Sequence, residues 1–403
     1  MSLSDVQYFD TSVAGFLDST DGLLGLSPLV DETTWLDTIS PGSVYQFGQD
    51  FDNDRLSLSP DDRYGLMISS SLADELIHIY FDKVQAFCPL FLRTKFDQDL
   101  SWNHMANRDQ RHPGLSPVYQ FILNGMFALS ARFSNAPEFI GIDPTCRGQI
   151  FVKRATKLWE WISRDFKHCL RTLQCLQGLI LLTFSSLLSG PSEDAWIQSG
   201  TCVRLAYDLD LHTTDAHKQT LRASSPLQQN QEAWVLLEER RRAWWMVWEI
   251  DTFSSAVSLR PFAIDSRFIH VLLPVSDDDW NNKAQAPSAL LNANGGMPWK
   301  HLAESSNRSE RAWFLVCLAV FRQACDAAVP PGPSVQMLHH AEAAIGCAFL
   351  ALPPSFQDFS MSAASCHTSY VTLNWIACSL IVLNWYALCP VSSSTIFTLV
   401  WHG

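Results

Sequence analysis

QEAWVLLEERRRAWWMVWEIDTFSSAVS, residues 231–258, is the stretch on which the fold prediction depends, because it is long and has helical periodicity. On a helix, Glu238 lies one turn before Arg242, which is a favourable spacing for an ion pair. Trp245 and Trp248 can then face the core. The stretch therefore predicts one long helix that packs through its tryptophans and carries a charged run beside them.

Two more charged residues follow the charged run, one near the end of the predicted helix and one just beyond it. We expect Asp251 and Arg260 to pair across the turn after the helix. A half-buried pair of this kind fixes geometry more than it adds net stability, so a structural clasp is the preferred interpretation and ligand sensing is the alternative. The candidate structural or regulatory residues are Glu238, Glu239, Arg241, Arg242, Trp245, Asp251, Arg260 and Pro261.

Two helix starts precede this stretch. Ser71 and Asp74 form a capping-box pattern before an amphipathic run that ends at Cys88. Ser116 and Pro117 have the residue types of an N-cap and a first helical position. Both signals predict an α-helix directly after them.

Further helices are predicted at residues 146–165, 172–188 and 193–209, separated by breaks rich in Gly, Pro or Ser. No alternating strand pattern competes with them. The predicted class is all-α, either a multi-helix bundle or an irregular helical array.

The composition of the chain beyond residue 275 differs between three successive segments. Residues 276–308 mix Asp, Asn, Pro and Gly and are expected to form a long surface loop, and helical structure is expected to continue over residues 309–390. The apolar run at 370–389 has the length of a membrane span, but it lacks flanking Lys or Arg, so a buried helix is preferred. Residues 391–403 are an atypical tail.

The region before the first helix, residues 1–68, is predicted to be a disordered tail. Its first 54 residues contain ten acidic residues and no Lys or Arg, and such a segment cannot bury enough apolar surface to fold alone. An acidic and aromatic composition is typical of activation segments, so the tail is either an activation segment or an inert one. The candidate activation residues are Phe9, Phe16, Trp35, Tyr45 and Phe47.

Three stretches, in this order, resemble one known family. They are residues 76–91, which begin LIHIYF; residues 173–212, which begin LQCLQGLILL; and EERRRAWW at 238–245, which leads to Asp251 and to Arg260-Pro261-Phe262. Together they resemble the fungal-specific transcription factor domain, the middle homology region of fungal zinc-cluster regulators, over residues 69–275. Asp210 stands where that family commonly has glycine.

The resemblance implies a nuclear protein that regulates RNA polymerase II transcription of a metabolic gene set in a fungus. The implied partners are the transcription machinery or a co-regulator, a second copy in a dimer, and a small-molecule effector. A membrane is not among them. DNA is expected to be reached indirectly or through a missing module.

The chain itself is poorly suited to bind DNA. Its net charge of -13 repels phosphate backbones. The family's zinc cluster begins with a Cys-x-x-Cys pair, whereas no two of the eleven cysteines here are three residues apart. We therefore expect no cofactor in this chain, and zinc only if a cluster module is missing from the N-terminus.

An enzyme is not predicted, because the sequence contains no Gly-rich phosphate loop, no Gly-x-Ser-x-Gly elbow and no His-Glu-x-x-His zinc helix. The alternative to a regulator is a helical enzyme or small-molecule-binding protein with a core pocket. A helical bundle can hold an effector between its helices. The candidate pocket residues, between the helices at 118–133 and 231–258, are Phe121, Trp245 and Trp248.

Overall fold

The helices predicted from local signals are present in the structure of the chain, which is a computed structural model. It describes residues 66, 68–106, 115–190, 192–216, 231–258, 260–291, 297–328 and 335–354. Within these ranges there are twelve α-helices, and the β-pairing is a single isolated antiparallel bridge between Leu272 and Leu290. The all-α class is therefore confirmed.

In chain order the α-helices are α1 (Ser70–Ile79), α2 (Arg93–Ala106), α3 (Pro117–Ser130), α4 (Gln149–Asp165), α5 (Lys167–Leu170), α6 (Leu173–Leu188), α7 (Glu193–Asp208), α8 (Gln231–Ser258), α9 (Asp277–Asn281), α10 (Lys300–Glu304), α11 (Glu310–Ala328) and α12 (Val335–Ala351). The helices predicted at residues 146–165, 172–188, 193–209 and 231–258 agree with the observed ones to within a few residues, whereas no helix is predicted where α2, α5, α9 and α10 lie. A π-helical turn, Tyr80–Val84, extends α1.

Several sequence predictions concern residues outside these ranges. They include the tail up to residue 65 with its five candidate activation aromatics, the apolar run at 370–389, and residues 391–403. All described residues belong to one of the two units into which the chain divides, Arg55–Gly403, and the other unit, Met1–Asp54, lies outside the described residues.

The first helix begins at a different serine from the one predicted. The N-cap is Ser69, whose Oγ accepts a hydrogen bond from the backbone N–H of Leu72 at 3.2 Å, whereas Ser71 is an exposed residue of the first turn. The capping-box prediction for Ser71 and Asp74 is therefore wrong. Three consecutive serines satisfy the cap preference equally well, and the burial of Ser70 and Leu72 decides which of them is the cap.

A tight contact between α3 and α6 lies in the middle of the core. A Cβ atom on Gly125 of α3 would lie 2.7 Å from the Cβ of Leu181, and one on Gly178 of α6 would lie 2.5 Å from the ring of Phe121. Both glycines are therefore required by the close approach of the two helices. Around this contact, α3 also packs against α1 and α4, while α8 packs against α6, α7 and α11.

The turn after α7 contains a left-handed residue. Asp210 has φ +53° and ψ +32°, a conformation that glycine adopts most easily and that Asp tolerates better than most residues. This geometry explains why a glycine suits the position that Asp210 occupies here.

The described residues of the segment predicted as a surface loop, 276–291 and 297–308, are more helical and more buried than expected. They include the short helices α9 and α10, and the side chains of Trp280 and Leu302 are buried. Ser276 caps α9 by accepting from the N–H of Asp279 at 3.0 Å. The surface-loop prediction is therefore wrong in part, because isolated apolar anchors in a turn-rich segment produce no periodicity that a sequence pattern can detect.

Candidate functional site

Five charged side chains meet at the first half of α8. We call this group the charge clasp: Asp215, Glu238, Arg241, Arg242 and Asp277. Glu238, Arg241 and Arg242 come from α8, Asp215 from the turn that follows α7, and Asp277 from the start of α9. The two arginines and Glu238 are at most 2% exposed. Charges removed from water in this way must be paired to be tolerated.

Arg241 is held on two sides. Its Nη2 and Nε lie 2.7 and 2.8 Å from the two carboxylate oxygens of Asp215, and its Nη1 lies 3.1 Å from Glu238 Oε2. Burial alone would lower the pKa of Arg241, but the hydrogen bonds to Asp215 and the charge of Glu238 outweigh it and raise that pKa. The guanidinium therefore stays charged inside the core, with its plane fixed by the bidentate pair.

Arg242 makes the predicted pair with the preceding turn of the helix. Its Nε lies 3.2 Å from Glu238 Oε1, which confirms the i,i+4 contact expected from the sequence. Its Nη1 donates to Asp277, and its guanidinium lies 4.1 Å from the ring centre of Trp280. Arg242 therefore joins α8 to α9 through both a charge and a ring contact.

The clasp also binds the backbone of the extended segment before α9. Val275 donates its N–H to Glu238 Oε1 at 3.0 Å, and its carbonyl accepts from Arg242 Nη2 at 2.9 Å. Leu272 donates its N–H to Asp215 Oδ2 at 2.9 Å. Since buried backbone groups need hydrogen-bond partners, the clasp fastens this segment to α8.

Glu239 faces a different neighbour from Glu238. Lys95 of α2 places its Nζ 3.0 Å from Glu239 Oε2 and 3.1 Å from Asp99. Burial raises the pKa of Glu239, and Lys95 opposes that shift. Glu239 therefore anchors α2 on α8, so the two glutamates of the motif hold different parts of the fold.

Asp251 does not pair with Arg260, so that prediction is wrong. Its carboxylate accepts from the backbone N–H groups of Ala263 and Ile264 at 3.0 and 3.1 Å, and its Oδ2 lies 3.1 Å from Arg322 Nη1. The reason is that Asp251 lies on the buried face of α8 towards α11, which supplies Arg322 from 71 residues further along the chain.

Arg260 instead lies beyond the end of α8 and points to the start of α7. Its Nη2 lies 3.4 Å from Glu193 Oε1, and its guanidinium lies 4.0 Å from the ring centre of Trp196. Its neighbour Pro261 accepts a hydrogen bond through its carbonyl from Ser255 Oγ at 3.2 Å. The two motif residues therefore close the end of α8 without a direct contact with Asp251.

The three residues of the predicted effector pocket are packed in the core. Phe121 stacks on Trp159 of α4 at 5.9 Å. Trp245 and Trp248 meet edge to face at 5.5 Å, and the indole N–H of Trp245 donates to Leu272 O at 2.8 Å. Each of the three side chains therefore packs against other core residues, and these contacts fill the space in which a pocket was predicted.

A cleft lies elsewhere, between the start of α7 and the end of α8. Its volume is about 190 Å³. Glu193 and Trp196 of α7 line it, as do Ser254 and Val257 of α8 and Arg260 beyond it. Arg260 is therefore the one predicted site residue that lines this cleft.

Sequence reasoning missed three buried charges, Asp215, Glu249 and Arg322, and the half-buried Arg311. Glu249 is buried, and burial raises its pKa while Arg311, which donates to it, opposes the shift. Glu249 lies between Trp248 and Ile250, and Arg322 directly follows an apolar run that ends at Phe321; a charge in such a setting signals a buried partner. Asp215 carries no such signal.

The described part of the chain shows no metal site. Within it, no group of three or more His, Cys, Asp or Glu side chains is placed to hold a metal ion. These residues therefore do not fit a zinc cluster, which needs several thiolates around each metal. Among the same residues, no helix combines the length and the apolar character that a membrane span requires.

The sequence of this chain matches the model of a known protein family. The model of the fungal specific transcription factor domain matches residues 77–323, which contain the charge clasp, Asp251 with Arg322, and the cleft. The chain belongs to the fungal specific transcription factor domain family. The match runs past residue 275 into α11, so the matched region includes the short helices α9 and α10.

The chain is also similar to parts of several longer fungal proteins. The chain is 24% identical over 243 residues to the sorbicillinoid biosynthetic cluster transcription factor 1 of Penicillium rubens, covering 56% of this chain and 37% of that protein. It is 25% identical over 217 residues to the pigment biosynthesis transcriptional activator pigB of Monascus ruber, covering 53% and 35%.

A third relative is the positive regulator of purine utilization of Emericella nidulans, which is 25% identical over 277 residues, covering 58% of this chain and 25% of that protein. The chain spans about a third of the length of the first curated relatives it matches. No solved structure matches it.

Proposed function

We propose that this chain is the helical regulatory part of a fungal transcription regulator that controls a metabolic gene set in the nucleus. The observation that carries the proposal is the family domain over residues 77–323. Two relatives are named as regulators of biosynthesis and one as a regulator of purine utilization, which supports a metabolic gene set.

The charge clasp supports a regulatory scaffold in preference to a catalytic site. Glu238, Arg241 and Asp215 are paired with one another and with backbone groups, so their charges are used to fasten α8 to its neighbours. A general base or nucleophile needs a side chain that can reach a substrate, which these paired, buried groups do not offer.

The chain acts, in this proposal, through protein partners. Its net charge of -13 disfavours contact with phosphate backbones, so DNA is reached through a partner or through a zinc-cluster module outside this chain. The partners are the transcription machinery or a co-regulator, with dimer formation and a small-molecule effector as further elements. Residues 1–68 provide activation through their acidic and aromatic residues.

A reporter assay tests the proposal. The full chain fused to a heterologous DNA-binding domain is expected to raise reporter transcription, and alanine at the five candidate aromatics is expected to lower it. Those residues are Phe9, Phe16, Trp35, Tyr45 and Phe47. The matched control replaces Leu3, Val6, Val13, Leu17 and Leu29 of the same segment with alanine, which removes apolar volume but no aromatic ring.

Deletion of the gene, followed by transcript profiling, provides the independent measurement. A regulator of a metabolic gene set is expected to change a small group of transcripts. An inactive fusion together with an unchanged transcript profile would contradict the proposal.

A further inference from the structure

The cleft between α7 and α8 combines an apolar wall with a cation. Leu187, Trp196 and Val257 supply apolar surface, and Arg260 supplies the positive charge at the rim. Pockets for drug-sized ligands measure roughly 300–1,000 Å³. A cleft of about 190 Å³ therefore suits a smaller molecule.

Arg260 is already arranged to receive an anion. Its guanidinium stacks on Trp196 at 4.0 Å, and a stacked guanidinium keeps a fixed plane for a carboxylate. Its partner Glu193 is 3.4 Å away and has a side chain that is 77% exposed. Charge-assisted pairs usually measure about 2.7–2.9 Å, so this long, exposed pair is one that a ligand carboxylate can replace.

Ser254 provides a second and independent feature. It is 3% exposed, it lines the cleft, and its hydroxyl has no hydrogen-bond partner among the described residues. Ser254, Val257 and Ser258 share one face of α8 because they are three and four residues apart. An unpaired buried hydroxyl is unfavourable, and a polar ligand atom in the cleft would supply its partner.

We propose that this cleft binds a small carboxylic acid with a single-ring body. The carboxylate takes the place of Glu193 on Arg260, and the ring lies against Trp196, Leu187 and Val257. Binding of the acid is independent of the proposed function, but its role as an effector of transcription rests on that function.

Fluorine NMR of the full chain with para-fluorophenylacetate tests the binding. The acid is expected to bind saturably, and the neutral para-fluorophenylacetamide is expected to bind about tenfold or more weakly, because it has the same ring but no charge for Arg260. Absence of saturable binding at millimolar acid, or equal binding of the amide, overturns the proposal.

Three variants locate the site. Arg260→Gln is expected to remove acid binding, whereas Glu193→Gln is expected to tighten it, because the competing carboxylate is gone. Asp194→Asn is the matched control: it removes one negative charge from the same exposed first turn of α7 without changing a residue that lines the cleft.

The Glu193→Gln result remains decisive if Arg260→Gln fails to fold, since Glu193 is exposed and its replacement leaves the core intact. Unchanged acid affinity in Glu193→Gln, or a gain in Asp194→Asn of the same size, contradicts the proposed site.

The reporter fusion separates the site from the function. Acid that binds the purified chain without changing reporter transcription supports the site and removes its effector role. A fusion that is inactive with and without acid contradicts the proposed function and leaves the binding result standing.

Discussion

Arg242 shows how much of the structure can depend on one side chain. Its side chain is fully buried between Glu238, Asp277 and the ring of Trp280, and it also donates to the carbonyl of Val275. Removing such a residue leaves a buried carboxylate with one cation fewer. A single substitution in the clasp is therefore expected to cost more stability than the intact clasp contributes in net.

Arg242→Leu is expected to lower the free energy of unfolding by about 3–5 kcal/mol, because Glu238 keeps its buried charge while losing a partner. Urea unfolding followed by circular dichroism measures the change. The control is Arg164→Leu, which removes an arginine whose side chain is 77% exposed and pairs with its neighbour Asp165. Equal stability of the two variants would show that the clasp does not hold the core together.

At the scale of the element, the start of α1 depends on one hydroxyl. Ser69→Ala is expected to lower the free energy of unfolding by about 1 kcal/mol, because the N–H of Leu72 loses its cap. Ser71→Ala is the control, since Ser71 is exposed inside the first turn and alanine is the better helix former there. Thermal unfolding of both variants measures the difference, and a larger loss for Ser71→Ala would contradict the assignment of the cap.

The contact between α3 and α6 gives a second test at this scale. Gly125→Ala is expected to destabilise the protein by about 1–3 kcal/mol, because the added Cβ would lie 2.7 Å from the Cβ of Leu181 and the helices must separate. Urea unfolding is the measurement.

Gly346→Ala is the matched control and should have the opposite sign. Gly346 is an exposed residue within α12, and no atom lies within 4 Å of the position of an added Cβ. Alanine there is expected to stabilise the protein by about 0.5–1 kcal/mol through helix propensity. Stabilisation by both substitutions would show that α3 and α6 do not approach as closely as described.

At the scale of the whole molecule, the buried thiols couple stability to alkaline pH. Cys88, Cys202 and Cys317 are buried, and burial raises the pKa of each thiol from 9 to about 12. Between these pH values the unfolded chain releases protons that the folded chain retains. The contribution of these thiols is therefore complete below pH 9 and is lost as the pH rises towards 12.

Cys317→Ala is expected to reduce the pH dependence of unfolding by about 1.4 kcal/mol per pH unit between pH 9.5 and 11, since it removes one such proton. Urea unfolding at several pH values gives the slope. Cys347→Ala is the control because Cys347 is exposed. An unchanged slope in Cys317→Ala would mean that this thiol ionises equally in the folded and unfolded chain.

The sequence by itself determined most of the long helices and the contacts inside them. The boundaries of α6, α7 and α8 and the pair between Glu238 and Arg242 follow from residues that are at most a few positions apart, so the pattern of one segment contains the whole signal. The family also follows from the sequence, because the order and spacing of its three motifs are read from the chain without knowledge of how it folds.

Only the tertiary structure decided which charges meet. Asp251 pairs with Arg322, which is 71 residues away, and Arg241 pairs with Asp215, which is 26 residues away. The cleft beside Arg260 likewise depends on where α7 begins relative to the end of α8. Which charges pair depends on how the helices cross and on the free-energy cost of burying an unpaired charge. The spacing of residues along one helix predicts neither of these.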